Sequence, residues 1–213
     1  MLHLILSCIA LGSLFHPLEA DEMPEPYCSL RMLFPFDEHG WYANEPHLKE
    51  CFARQKIETV IEVGSWLGLS TRDLAVKVGP AGKVYAIDTW LGSPSEDVHQ
   101  KDPRLPQLYE IFLSNVIHTG LTQVIVPIRM DSLEAAKILD VKADLIYIDA
   151  SHVTEAVYQD IIHWYPHLKE GGVFCGDDFC WGSVAAGVRK GAEELNLDIE
   201  TGYTWWRLKP KQQ

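Results

Sequence analysis

The chain has 213 residues, 47% of them hydrophobic and 23% charged, and its 30 Asp and Glu against 18 Lys and Arg give a formal net charge of -12. This length and composition fit one globular domain with a sizeable core. Because the chain is strongly acidic, general binding to nucleic acids or to anionic lipid surfaces is disfavoured. The absence of repeats and low-complexity tracts excludes solenoid, collagen-like and disordered classes.

The first segment, residues 2–14, is apolar but too short to cross a bilayer comfortably as a helix. It fits the core of a signal peptide, with a small-residue cleavage site at 18–20, although the usual preceding Lys or Arg is missing. Residues 1–20 are therefore either a signal peptide or an apolar N-terminal segment that is retained. The five cysteines are too sparse for a disulfide-stapled scaffold and are interpreted as packing residues.

Residues 21–55 contain four prolines and then a helical stretch at 45–54, which predicts an N-terminal cap across the sheet edge or the site. From residue 56, short apolar runs alternate with amphipathic stretches, as in a parallel sheet covered by helices on both faces. The predicted strands are 59–63, 83–87, 124–128, 144–148 and 172–175. The predicted helices are 70–78, 107–118, 132–139, 154–168 and 183–195. Two alternating runs around Thr201 and Gly202 predict a closing antiparallel hairpin.

A turn containing Gly64 and Gly68 follows the first strand and leads into a helix. Backbone N–H groups and a helix N-terminus at such a turn favour an anionic or nucleotide-like ligand. Trp66 stands where the Gly-x-Gly-x2-Gly dinucleotide pattern needs its second glycine, which argues against NAD. The alternative is a tight strand-to-helix connection without a ligand.

Polar residues also end the second and third strands. Asp88 lies twenty residues after Gly68, where a carboxylate can accept the ribose hydroxyls of an adenosine-bearing cofactor. Asp131 and Ser132 could reach an adenine edge, or they could cap the following helix. Trp90 could stack on the cofactor or the substrate, although an aromatic residue there more often belongs to the core.

Four segments together resemble the motifs of class I S-adenosylmethionine-dependent methyltransferases, most closely small-molecule O-methyltransferases of the macrocin and catechol type. These segments are IEVGSWLGLST (61–71), YAIDTWLGS (85–93), DLIYIDASH (144–152) and LKEGGVFCGDDF (168–179). The resemblance implies an α/β, Rossmann-like three-layer sandwich over residues 56–213, with a mostly parallel seven-stranded sheet and an antiparallel C-terminal hairpin strand. It also implies a set of cofactor contacts, namely Glu62, Gly64, Ser65 and Gly68 at the methionine and ribose, Asp88 at the ribose hydroxyls, and Asp131 and Ser132 at the adenine.

Three carboxylates, Asp149, Asp177 and Asp178, follow two neighbouring predicted strands. Clustered carboxylates must share a proton, pair with a base or bind a cation, and oxygen ligands suit Mg²⁺. The resemblance implies that they hold a divalent metal that orients the acceptor hydroxyl. Helix capping and solvated loop carboxylates are the alternatives. His152 could accept the hydroxyl proton, or it could cap the next helix.

The sequence thus predicts S-adenosylmethionine-dependent methyl transfer to a hydroxyl of a small molecule, assisted by a divalent cation. Two alternatives stay open, namely an NAD(P)- or other nucleotide-using Rossmann-like enzyme and a non-catalytic adenosyl-ligand binding protein. We expect no nucleic-acid partner and no stable transmembrane span. The acceptor pocket should come from residues 21–55, 91–106 and the loop after Asp178. Cofactor supply favours a cytoplasmic location, whereas the signal-like N-terminus leaves export open.

Overall fold

The computed structural model describes residues 23–211, so the predicted signal peptide or apolar segment at 1–20 lies outside the described residues. Over that range, no helix has both the length and the hydropathy needed to cross a bilayer. The helices are α1 (Glu45–Arg54), α2 (Leu69–Val78), α3 (Asp97–Gln100), α4 (Leu108–His118), α5 (Ser132–Ile138), α6 (Thr154–Trp164) and α7 (Gly182–Glu194). The strands are β1 (Thr59–Val63), β2 (Lys83–Asp88), β3 (Ile125–Arg129), β4 (Ala143–Ile148), β5 (Leu168–Gly176), β6 (Leu197–Thr201) and β7 (Trp206–Pro210).

The seven strands form one sheet in the order β3-β2-β1-β4-β5-β7-β6. Strands β1 to β5 are parallel to one another, and β7 pairs antiparallel with both β5 and β6. The order reverses at β1, so the carboxyl ends of β1, β2 and β4 meet at a crevice where such folds bind ligands. The predicted fold class, with its antiparallel C-terminal hairpin, is confirmed.

Side-chain alternation along the strands divides the core into two layers. Val60 packs in the layer that α1, α2 and α4 cover, whereas Ile61 packs in the layer under α5, α6 and α7. Both residues are fully buried. Because each face of the sheet is covered, the central strands are apolar over nearly their whole length, which is why they were easy to locate in the sequence.

The predicted helices and strands differ from the observed ones mainly at their ends and at one short helix, where the sequence has no regular hydrophobic pattern. The predicted helix 154–168 ends at Trp164, because Pro166 cannot continue an α-helix and a 3-10 turn (Tyr165–His167) follows. Strand β5 consequently begins at Leu168. The short helix α3 was not predicted, since four residues are too few to show a helical period.

The segment before α1 is tied to α4 by hydrogen bonds. The Phe34 N–H donates to Ser114 Oγ at 2.9 Å, and Asn115 bonds the backbone of Asp37 in both directions, accepting at Oδ1 and donating from Nδ2 at 2.9 Å each. These bonds bring Gly40 and Trp41 to the crevice. Of the four cysteines in the described residues, all are free thiols, two buried and two exposed, so the packing interpretation fits only the buried pair.

Candidate active site

A cavity of about 620 Å³ lies at the carboxyl ends of β1, β2 and β4. Its wall includes Gly64 after β1, Asp88 at the end of β2, and Asp149 after β4. The first residues of α5 complete this side of the wall. Five of the seven predicted cofactor residues line the cavity, namely Gly64, Ser65, Asp88, Asp131 and Ser132.

Gly64 allows the loop after β1 to pass close to the end of β4. Its φ is +91°, and a Cβ there would lie 1.9 Å from the carbonyl oxygen of Asp149. Only glycine combines this backbone conformation with that approach. The Gly64 N–H donates to the Ile87 carbonyl at 2.9 Å, so the loop is held against β2 as well.

The Asp88 carboxylate lines the cavity and also holds the loop in place. Its Oδ2 accepts hydrogen bonds from the backbone N–H groups of Ser65 and Trp66, both at 2.9 Å. Its Oδ1 accepts one from the Trp90 N–H at 2.7 Å. Asp88 therefore has a structural role that its place at a strand end did not reveal.

Glu62 does not line the cavity, contrary to the prediction, and its side chain is fully buried beneath the loop. Its carboxylate accepts hydrogen bonds from Ser65 Oγ at 2.7 Å, from Ser70 Oγ at 2.6 Å and from Thr71 Oγ1. Burial raises the pKa of Glu62 to about 7, against the effect of these three donors. Glu62 thus joins β1 to the loop and to the start of α2.

Gly68 also stands outside the cavity wall, although it was predicted to contact the cofactor. It is the N-cap of α2, with a left-handed φ of +80°. A Cβ at this position would lie 2.9 Å from the Phe112 ring. Its requirement for glycine therefore comes from helix initiation and core packing.

Asp131 and Ser132 line the cavity, and each also has a structural partner. Asp131 Oδ1 accepts from the N–H groups of Leu133 and Glu134, at 3.0 and 3.3 Å, and so caps α5. Ser132 Oγ donates to Asp160 and accepts from Trp164 Nε1 at 2.8 Å. The two interpretations of this pair, cap and cavity wall, are therefore compatible.

The three predicted metal ligands do not share one surface. Asp149 and Asp178 line the cavity, whereas Asp177 does not and is nearly buried. Asp177 accepts from the Asp178 N–H at 2.6 Å and from Tyr147 Oη at 3.3 Å. Burial, together with the neighbouring charges of Asp177 and Asp178, raises the pKa of Asp149 well above its ordinary value.

His152 lies between two carboxylates in the cavity wall. Its Nε2 is 2.8 Å from Asp178 Oδ2, and its Nδ1 is 3.0 Å from Glu96 Oε1. The hydrogen bond with Asp178 raises the pKa of His152. Because both ring nitrogens are paired, His152 is better placed to connect the loop after β2 with the loop after β5 than to accept a proton.

The donor arrangement does not fit a metal ion. Among residues 23–211, no three His, Cys, Asp or Glu side chains are placed to hold one together. Asp178 is paired with His152, and Asp177 is turned toward Tyr147. We therefore derive no step through a metal.

An aromatic cluster that sequence reasoning did not identify lines another part of the cavity. The rings of Trp66 and His99 are stacked at 4.6 Å, and Trp41 lies 5.8 Å from Trp66 and 5.4 Å from His99. Trp66 has a left-handed φ of 47°, fixed by its N–H bond to Asp88 and by Trp90 Nε1, which donates to its carbonyl at 2.7 Å. Trp90 itself is buried in the core, as the commoner interpretation held.

The sequence indicated this aromatic cluster only in part. Trp41 and His99 fall in the two segments expected to form the acceptor pocket, but neither segment has a periodicity that shows which side chains face inward. Trp66 was noted in the sequence only as a departure from a glycine pattern. Trp181, in the loop after β5, also lines the cavity, and its ring is 4.6 Å from that of His152.

Comparison with solved structures places the fold among methyltransferases and related enzymes. The O-methyltransferase of Thermotoga maritima is 16% identical, with 83% of this chain and 68% of that chain covered and a TM-score of 0.59. The Bacillus cereus O-methyltransferase in complex with SAH is 17% identical, covering 83% and 84%, with a TM-score of 0.59. A precorrin 8w decarboxylase of Methanobacterium thermoautotrophicum is 19% identical, covering 82% and 97%, also at 0.59. These similarities concern the fold, and no curated protein sequence matches the chain significantly.

The sheet order, the glycine loop and the carboxylate at the end of β2 define a class I S-adenosylmethionine-dependent methyltransferase. A family model described as a methyltransferase domain matches residues 61–179, more than half of the chain. The chain belongs to this methyltransferase family.

Proposed function

We propose that the chain transfers a methyl group from S-adenosylmethionine to a hydroxyl of a small molecule. The observation that carries this proposal is the cavity of about 620 Å³, whose wall brings together the Gly64 loop, Asp88 and Asp149. A cavity of this volume can hold a nucleoside-sized cofactor together with a small acceptor. The O-methyltransferases of similar fold support the choice of oxygen as the methyl acceptor.

The residues present fit the cofactor. Gly64 lies in the cavity wall, where the methionine part would bind. Asp88, at the end of β2, would accept hydrogen bonds from the ribose hydroxyls, and Asp131 and Ser132 at the start of α5 would face the adenine. The bound cofactor supplies an electrophilic methyl group on a sulfonium centre.

Methyl transfer to a hydroxyl requires placement of the oxygen and removal of its proton. Asp149 is the carboxylate that ends β4 and lines the cavity, so we assign it as the proton acceptor. His152, held between Glu96 and Asp178, keeps two loops together at the cavity wall and is a positioning residue. Residues 23–44 complete the acceptor side through Gly40 and Trp41.

The experiment combines cofactor binding with turnover. Calorimetry should show binding of S-adenosylhomocysteine, and a screen of hydroxylated acceptors should show transfer of labelled methyl. Asp149→Asn should lower kcat by about 10²-fold or more while affinity for S-adenosylhomocysteine persists. Asp140→Asn, an exposed carboxylate before β4, is the matched control.

Two results would contradict the proposed function, and a third would change its mechanism. Binding of NAD(P) without S-adenosylhomocysteine would favour another nucleotide-using enzyme. Binding of S-adenosylhomocysteine without transfer to any acceptor would indicate a binding protein. Loss of turnover in chelator, restored by Mg²⁺ in the wild type but not in Asp149→Asn, would return a metal to the mechanism.

A further inference from the structure

The cavity wall is strongly acidic. Seven of its side chains are Asp or Glu, and none of its described residues is Lys or Arg. The residues outside the description, 1–22 and 212–213, contain no Lys or Arg either. Among residues 23–211, no Lys or Arg therefore lines this wall to neutralise a negatively charged acceptor.

The charges near the wall compensate only part of this acidity. Lys190 pairs with Glu155 at 2.8 Å, and His152 is shared between Glu96 and Asp178. Counted as cations, Lys190 and His152 balance only two of the seven carboxyl groups on the wall. S-adenosylmethionine carries a single net positive charge, so the cavity stays negative after the cofactor binds.

The aromatic cluster adds to the negatively charged cavity a surface that can bind an organic cation. Trp41 and Trp66 line the same cavity with their ring planes 50° apart. His99, stacked on Trp66, has its pKa lowered by burial and so adds no positive charge at neutral pH. Indole faces attract ammonium groups, and angled aromatic rings near carboxylates bind alkylated ammonium ions.

We infer that the methyl acceptor is a hydroxylated small molecule that carries a protonated amine or a quaternary ammonium group, bound beside Trp41, Trp66 and Glu96. This inference rests on the proposed function and specifies its substrate class. Acceptors that carry a carboxylate, a phosphate or a coenzyme A thioester are excluded by the same arrangement, because their negative charge would face carboxylates without a basic partner.

The test uses three dihydroxybenzene probes that differ only in an aminoethyl, a hydroxyethyl or a carboxyethyl side chain. Calorimetry measures their binding to the full chain saturated with S-adenosylhomocysteine, at low and at high salt. We expect the aminoethyl probe to bind about tenfold or more tightly than the carboxyethyl probe, with the neutral probe between them. This ratio should decrease at high salt, because ions screen the field of the wall.

Two variants locate the effect, each with a control. Glu96→Gln should reduce the ratio between the aminoethyl and carboxyethyl probes, whereas Glu58→Gln, an exposed carboxylate before β1 and outside the cavity wall, should not. Trp41→Ala should weaken binding of the aminoethyl probe more than that of the hydroxyethyl probe. Tyr203→Ala, an aromatic residue 84% exposed in the turn before β7, should change neither.

The outcomes separate this inference from the proposed function. Equal binding of the aminoethyl and carboxyethyl probes, a preference for the carboxyethyl probe, or no binding of any probe overturns the cationic acceptor. Methyl transfer that favours the carboxyethyl probe overturns it too, while it supports the proposed function. Failure of S-adenosylhomocysteine to bind counts against the proposed function, and the three probes are then compared on the unliganded chain.

Discussion

Glu62 allows a quantitative prediction because its carboxylate is fully buried and its partners are known. Burial raises its pKa from 4.5 to about 7. As the pH rises above 4.5, the unfolded chain releases this proton before the folded chain does, so the free energy of unfolding falls. The loss continues until the folded carboxyl ionises near pH 7, and it then levels off.

The expected size follows from these two pKa values. At about 1.4 kcal/mol per pKa unit, Glu62 should lower the free energy of unfolding by about 2.5 kcal/mol between about pH 5 and about pH 8.5. Glu62→Gln keeps the shape of the side chain and can still bond Ser65, Ser70 and Thr71, but it does not titrate. The difference in unfolding free energy between the variant and the wild type should therefore grow by that amount over this range.

Urea denaturation followed by tryptophan fluorescence, repeated across this pH range, measures the difference. Other titrating groups cancel when the two proteins are compared at each pH. Glu58→Gln is the matched control, since Glu58 is exposed and its ion pair with Lys56 lies at the surface. Parallel stability curves for the wild type and Glu62→Gln would show that Glu62 ionises normally and would refute the reasoning.

Three further predictions concern the cofactor loop. Asp88→Ala should abolish binding of S-adenosylhomocysteine in calorimetry and lower the unfolding free energy by about 1–3 kcal/mol, because three backbone N–H groups lose their acceptor. Unchanged urea stability would count against this structural role. Gly79→Ala, at positive φ but with open space around it, should cost about 1–3 kcal/mol of backbone strain. Gly64→Ala should cost about 1–3 kcal/mol more in the same assay, because its Cβ would also meet the Asp149 carbonyl; equal costs would contradict the clash. Trp90→Phe should cost about 1–2 kcal/mol and weaken cofactor binding, because Trp66 loses the bond to its carbonyl; wild-type affinity would show that the loop holds without it.

Regular elements could be predicted because their signals are local. Residues 45–54 and 59–63 were predicted with the bounds that the structure shows, since Pro46 marks a helix start and an apolar run marks a buried strand. The positions of Asp88 and Asp149 followed in turn, because the carboxyl ends of parallel strands lie at one edge. The sequence was sufficient wherever strand order determined position.

The direction of a side chain was harder to predict. Glu62 lies two residues after Val60 in β1, so its side chain points to the same core layer beneath α2, where the hydroxyls of Ser70 and Thr71 donate to it. Strand alternation and this pair of hydroxyls were visible in the sequence, but the resemblance to methyltransferases assigned Glu62 to a contact with the cofactor. The partners of Asp178 and His152 depended on Glu96, fifty-six residues away from His152 in a loop, and no local pattern encodes that contact.

The two sides of the cavity therefore differ in how strongly hydrogen bonds and burial fix their residues in place. On the cofactor side, Glu62 and Asp88 both accept hydrogen bonds from the loop after β1. The loop is therefore already ordered, and ligand binding costs little conformational entropy there. On the acceptor side, Trp41 and Trp181 are about half exposed and come from connecting segments. Because connecting segments tolerate substitution better than strands, we expect changes of acceptor among related chains to occur at these positions, while the cofactor loop stays constant. Exchange of the residues at positions 41 and 181 together with residues 91–106 between two such enzymes should transfer acceptor preference without changing the affinity for S-adenosylhomocysteine.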